Sequence, residues 1–141
     1  IKYCFIDIPP LINKIDKASE IITAAFVNAQ AIVKYIQKKN PSIVSLVCTD
    51  AKIPNDEDIM LAKYLKGQLI NKPISYNYIK KQLDNNSKLK QFLVHPISKT
   101  YPQDYKLALL LDKFDFVIKA ERDKNNLIVL TKWNLKNDII G

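Results

Sequence analysis

The sequence predicts an α/β fold: a three-layer α/β/α arrangement with a parallel core of about three strands and a C-terminal antiparallel hairpin. The apolar, β-branched segments Ile1 to Asp7, Glu20 to Phe26 and Ile43 to Cys48 alternate with segments whose apolar residues recur at helical spacing. That order reads βαβαβα and implies parallel strands with right-handed crossovers. Near the end, two strand-like runs flank the turn-rich Glu121-Arg122-Asp123-Lys124-Asn125, which marks an antiparallel hairpin at a sheet edge.

Each element has a local reason. Ile1 to Asp7 alternates loosely and stops before Pro9-Pro10, residues that cannot donate to a ladder. A short helix over Leu11 to Ala18 and a second strand over Glu20 to Phe26 follow. Asn28 then caps an amphipathic helix with Ala29, Ile32, Val33 and Ile36 on its apolar face, ending at Lys38-Lys39-Asn40 before Pro41. Cations in its last turn suit the negative end of the dipole.

The run Ile43 to Cys48 is apolar enough for a strand buried on both faces, so it is expected mid-sheet. After Thr49-Asp50-Ala51-Lys52-Ile53-Pro54, a helix opens on Asn55-Asp56-Glu57-Asp58 and continues through Ile59, Leu61, Ala62 and Leu65 to about Leu69, near Gly67. Ser75 to Leu93 reads as two helices broken at Asp84-Asn85-Asn86-Ser87, and Pro96 to Pro102 as loop. Asp104 to Asp112, rich in leucine, reads as a mostly buried helix. The hairpin strands are Phe114 to Ala120 and Asn126 to Trp133, and Asn134 to Gly141 is a peripheral tail.

Composition narrows the function. The chain has 141 residues, 48% hydrophobic and 26% charged, which suits a single domain spanning 1–141 with its own core. No apolar run approaches the roughly 20 residues that cross a bilayer, so the expectation is a soluble protein. Cys4 and Cys48 lie in strand patterns without ligand spacing and read as reduced core residues. The net charge of +8 raises a polyanion partner. Against nucleic acid, the cations are nearly all Lys, Arg122 is the sole Arg, and the lysines spread over every helix without interleaved aromatics. The chain begins at Ile1 with no signal-like segment, and reads as a processed piece or the later part of something longer.

The chemistry concentrates after the third strand. Asp50, Asp56, Glu57 and Asp58 crowd the loop and helix start at its carboxyl end, where open α/β sheets bind ligands. Several carboxylate oxygens suit Mg²⁺, which takes one or two protein carboxylates beside a substrate phosphate. Helix capping explains the same acids without a ligand, with Asn55 as cap and Asp58 three residues on. Asn28 follows a parallel strand too, so it and the 49–58 loop should face one crevice. His95, between Val94 and Pro96, has no nucleophile or acid at a telling spacing and reads as structural or exposed. No elbow motif, phosphate-cradling Gly-rich loop or zinc pattern is present, and only two glycines occur in all.

Three blocks carry a resemblance: Phe26-Val27-Asn28-Ala29-Gln30-Ala31-Ile32; Val44-Ser45-Leu46-Val47-Cys48 with Glu57-Asp58 and Leu61-Ala62; and Asp104 through Val117. In order and spacing they resemble the later half of the 2-phosphosulfolactate phosphatase family, over about Ile1 to Leu130. The resemblance implies a cytoplasmic, Mg²⁺-dependent phosphoric monoester hydrolase of coenzyme M biosynthesis, acting on a small phosphorylated hydroxy acid. Glu57 and Asp58 match the family's acidic pair and Asn28 its Asn. The resulting assignment is Glu57 and Asp58 as catalytic residues, Asn28 and Thr49 as substrate-binding residues, and Asp50 and Asp58 as metal ligands. Which acid has which task stays open. Three departures favour an alternative, a non-catalytic interaction or subunit-assembly domain derived from the same fold. The family's earlier Asp-x-x-Arg-Ala-Thr-Thr type of segment is missing, Ile8-Pro9-Pro10 replaces its Asn-Gly-Thr, and Thr49-Asp50-Ala51-Lys52 replaces small and Gly residues. A second copy of the chain or a separate N-terminal segment is the partner this alternative expects.

Overall fold

The computed structural model describes residues 2–5, 18–48, 56–86 and 101–135. Its strands are β1 (Lys2–Phe5), β2 (Glu20–Thr23), β3 (Val44–Val47), β4 (Phe116–Arg122) and β5 (Ile128–Asn134). Its helices are α1 (Ala29–Lys39), α2 (Glu57–Leu69), α3 (Tyr76–Asp84) and α4 (Tyr101–Ala108). The strands form one mixed sheet in the order β3-β1-β2-β4-β5. β1 pairs parallel with both β2 and β3, β4 runs antiparallel to β2, and β4 and β5 make the expected hairpin. The α/β class and the parallel trio are as the sequence reads.

Several expectations are corrected. β3 is an edge strand, not a central one, because the chain passes from β2 back across β1 and the hairpin occupies the other side. Its residues are half-buried and Ile43 before it is 52% exposed. Apolar composition alone does not distinguish that place from mid-sheet. β2 stops at Thr23, and Phe26–Asn28 form a 3₁₀ turn where strand had been expected. α4 takes in Tyr101 and Pro102, expected in a loop; proline is tolerated in a first turn, where its missing N–H is not needed. The leucine-rich segment is less buried than its composition suggests. Leu109 is buried, while Leu107 is 59% and Leu110 39% exposed. The expected helix before Ala18, the second helix before Leu93, His95 and residues 136–141 of the expected tail lie outside the described residues, as does the Cys4 side chain. The start of that tail is not peripheral, since Asn134 ends β5 and Leu135 packs against the core.

The core sits between the sheet and the α1–α2–α3 layer. α1 packs on β4 and α2, and α2 on β3 and α3. Ile32, Tyr35, Ile36, Leu61, Leu65, Ile79, Leu83 and Val117 are almost wholly buried there. Phe26 sits in an aromatic trio with Tyr76 (ring centroids 5.6 Å) and Tyr64 (6.1 Å), which pins the 3₁₀ turn to α2 and α3. Each such pair adds about 0.5–1.5 kcal/mol beyond its area. The Tyr76 hydroxyl donates to the Leu109 carbonyl and so ties α3 to the chain after α4.

One cation is buried on this face. Lys119 of β4 pairs with Glu20 of β2 at 3.0 Å, the Tyr35 hydroxyl donates to the same carboxylate oxygen, and the ammonium lies 3.9 Å from the Trp133 ring centroid. Neutralisation, a hydrogen bond and two aromatic faces together offset the cost of desolvating both charges. α1 ends as expected, on Asn40 in the left-handed region (φ 42°), an amide side chain that tolerates that backbone. α2 ends at Leu69 as expected, with Gly67 inside its last turn. A Cβ there would stand 2.8 Å from the Lys72 carbonyl oxygen, so the residue serves close approach of the 72–74 backbone.

Candidate active site

The ladder registers fix where the parallel strands end. Phe5 pairs with Thr23 on one side and Val47 on the other, so three carboxyl ends finish level. β2 and β3 flank β1, two strand spacings or about 10 Å apart. The strand order reverses at β1, which makes its carboxyl end the switch point where ligands bind in open α/β sheets. The two segments that sequence singled out leave from the neighbouring strands.

After β3, Cys48 leads toward the start of α2. Asp56 is the N-cap, with its carboxylate accepting from the Ile59 N–H at 3.0 Å. This replaces the expected Asn55 cap: the backbone of Asp56 is extended (ψ 178°) and its carboxylate reaches the third helical N–H. Glu57 and Asp58 therefore occupy the first turn, favoured by the positive end of the dipole. Their electrostatic neighbours differ. Burial, then Asp58, then Asp56 push the Cys48 thiol above its ordinary value, so Asp58 acts on the strand end. Cys48 is free, and stays a neutral thiol rather than a thiolate nucleophile. Glu57 acts on α3 instead. Burial, then Asp84, Glu57 and Tyr64, raise the Tyr76 hydroxyl.

After β2, Asn28 is buried at 4% exposure, and it occupies the cap position of α1 without capping it. Its Oδ1 accepts from the Ala25 N–H at 3.1 Å and its Nδ2 donates to the Phe116 carbonyl at 3.3 Å. The amide latches the turn to β4. The capping is done by Asp112, whose carboxylate accepts from the Gln30 N–H at 2.7 Å. Around it, the Asp112 N–H donates to the Phe26 carbonyl and the Phe114 N–H to the Val27 carbonyl, at 3.0 and 2.8 Å. Burial, then the Asp112 carboxylate, raise the Tyr64 hydroxyl, against a hydrogen bond with the Gln68 side chain.

Asn28, Asp56, Glu57, Asp58 and Asp112 thus belong to one end of the molecule, linked through Phe26, Tyr64 and Tyr76. Thr49 and Asp50 lie outside the described residues. Sequence reasoning missed Asp112, Tyr64 and Tyr76. The first had a faint signal, an acid at the end of a leucine-rich run; the tyrosines carried none. Among the described residues no group of three or more His, Cys, Asp or Glu is arranged to hold a metal. The donor chemistry at the β3 end still fits a hard cation, since carboxylate oxygens are its ligands and one or two suffice beside a phosphate.

Level parallel strand ends, a switch point and an acid-led helix start define the class: an α/β protein of the open-sheet kind, in which ligands generally bind at the carboxyl edge. A family profile described as 2-phosphosulpholactate phosphatase matches residues 10–123, and the chain belongs to that family. No curated protein matches it. No helix among the described residues is long and apolar enough to cross a membrane.

Proposed function

We propose that this chain carries the acidic part of a Mg²⁺-dependent phosphatase site for a small phosphorylated hydroxy acid such as 2-phosphosulfolactate. The observation that supports it best is the convergence of Asn28 and the Glu57-Asp58 turn on one sheet edge, in a chain of this family. Asp58, beside the strand end, together with Asp50, would hold the cation. Bound there, Mg²⁺ would polarise the phosphoryl group and neutralise its charge. The start of α2 turns the positive end of its dipole toward the phosphate oxygens. Glu57, held apart from Asp58, orients the attacking water and accepts its proton. The turn around Asn28, with Thr49, fixes the organic part of the substrate. A cytoplasmic enzyme of coenzyme M biosynthesis follows from the same reading.

The test is release of inorganic phosphate from 2-phosphosulfolactate with and without Mg²⁺, by the whole protein that contains this chain. Glu57→Gln is expected to lower kcat at least a hundredfold, on the order of a lost general base, and Asp58→Asn to raise the Mg²⁺ requirement. Unchanged activity in the double variant rejects the site. A non-catalytic assembly domain is the second reading, favoured by the exposed Val129 and Leu130 on the edge strand β5 and Leu127 just before it. Sedimentation as a monomer at every concentration dismisses it.

A further inference from the structure

We infer that Asp112 is a positioning residue of this site: its carboxylate and backbone seat the turn that carries Asn28 level with the acidic start of α2. The inference rests on the phosphatase reading for its catalytic part, and on geometry alone for the seating.

Three hydrogen bonds converge on five consecutive residues. Phe26 and Val27 offer their carbonyls to the N–H groups of Asp112 and Phe114, and Gln30 offers its N–H to the Asp112 carboxylate. Asn28, in the middle, reaches Phe116 of the same strand approach with its own side chain. The turn 26–28 and the first turn of α1 are therefore bound to the 112–116 segment, far away in sequence. Asp112 adopts φ 53°, a left-handed backbone that Asp and Asn tolerate and most residues do not. That conformation allows one residue to present its N–H to Phe26 and its carboxylate to Gln30. The seat also reaches the other half of the site. Phe26 packs on Tyr64 and Tyr76, and these tyrosines stand in the fields of Asp112 and Glu57 respectively. The Asp112 carboxylate thus caps α1 from across the fold, as the Asp56 carboxylate caps α2 locally.

The chemistry of the seat is hydrogen-bond acceptance plus a left-handed backbone, not charge, so the two obvious variants separate. Asp112→Asn keeps an acceptor and the backbone preference; Asp112→Ala loses both. In the whole protein, assayed well below the melting temperature of each variant, Asp112→Ala is expected to lower kcat/KM at least tenfold, because small misplacements of positioning groups are costly. Its half-saturating Mg²⁺ should match the wild type, since Asp58 sits on another element. Asp112→Asn should stay within about twofold of wild type in both, as Asp and Asn cap helices equally well. Hydrogen exchange gives the readout that does not need catalysis. In Asp112→Ala, amides of residues 26–31 should exchange at least fivefold faster, on the order of a lost cap, with those of α2 unchanged. Accelerated exchange with an inactive wild type would sink the phosphatase reading and leave the seat standing. Wild-type exchange at 26–31 in Asp112→Ala overturns the proposal, and so does an Asp112→Asn variant as impaired as Asp112→Ala.

Discussion

Replacing Asn28 separates two roles that its position makes easy to confuse. As a helix cap it would be interchangeable with Asp or Ser, and Asp would gain from the dipole. As a latch it needs one acceptor for Ala25 and one donor for Phe116. Asn28→Ala leaves the Ala25 N–H and the Phe116 carbonyl without partners beside a side chain only 4% exposed. Each orphaned group costs about 1–3 kcal/mol. The longer bond to Phe116 is weighted at the low end, giving a loss of about 2–3 kcal/mol in all. Asn28→Asp keeps the acceptor but sets a carboxylate against a carbonyl oxygen, and is expected to lose about 2 kcal/mol or more. With a urea dependence of about 2 kcal/mol per molar for a chain of this size, both midpoints should fall by about 1 M. Urea titrations followed by circular dichroism measure this directly. An Asn28→Asp midpoint within about 0.2 M of wild type, equal to about 0.5 kcal/mol, would refute the latch and restore the cap.

Three further outcomes follow from the packing. Lys119→Met leaves the Glu20 carboxylate poorly paired in a site where both side chains are mostly buried; a loss of about 2 kcal/mol is expected, with at least half recovered in the Glu20→Gln/Lys119→Met double variant, as a double-mutant cycle will show. Gly67→Ala gains about 1 kcal/mol of helix propensity but drives a methyl to 2.8 Å from the Lys72 carbonyl. Its melting temperature should fall by about 3–6 °C, and a rise would contradict the close approach. Tyr64 and Tyr76 both have hydroxyls raised above the ordinary 10.0 in the folded state. The unfolded chain therefore loses these protons first, so their contribution to stability is whole below pH 10 and is lost as pH rises through the folded values. An alkaline titration should show tyrosinate absorbance and loss of helix rising together; full tyrosinate signal in a still folded protein would count against it.

Local patterning determined much of this protein. The periodicity of Ala29 to Ile36, the stop at Asn40, the acid-led start of α2 and the hairpin around Asp123 all depend on residues within a few positions of one another. For the same reason the common direction of the segments leaving β2 and β3 could be foreseen: parallel strands end on one edge of the sheet. What the tertiary structure decided involves partners distant along the chain. Asn28 finds its acceptor 88 residues away, and the α1 cap comes from a carboxylate 82 residues away. β3 lies at an edge because strand order depends on which neighbour the other strands choose, and a mostly apolar run such as Ile43 to Cys48 looks alike in either place. Gly67 likewise ends no helix; it admits a backbone that only the folded chain brings to it. Spacing along a chain encodes which side of an element is apolar, whereas the identity of a long-range hydrogen-bond partner is set by the packing of the whole sheet and its helices.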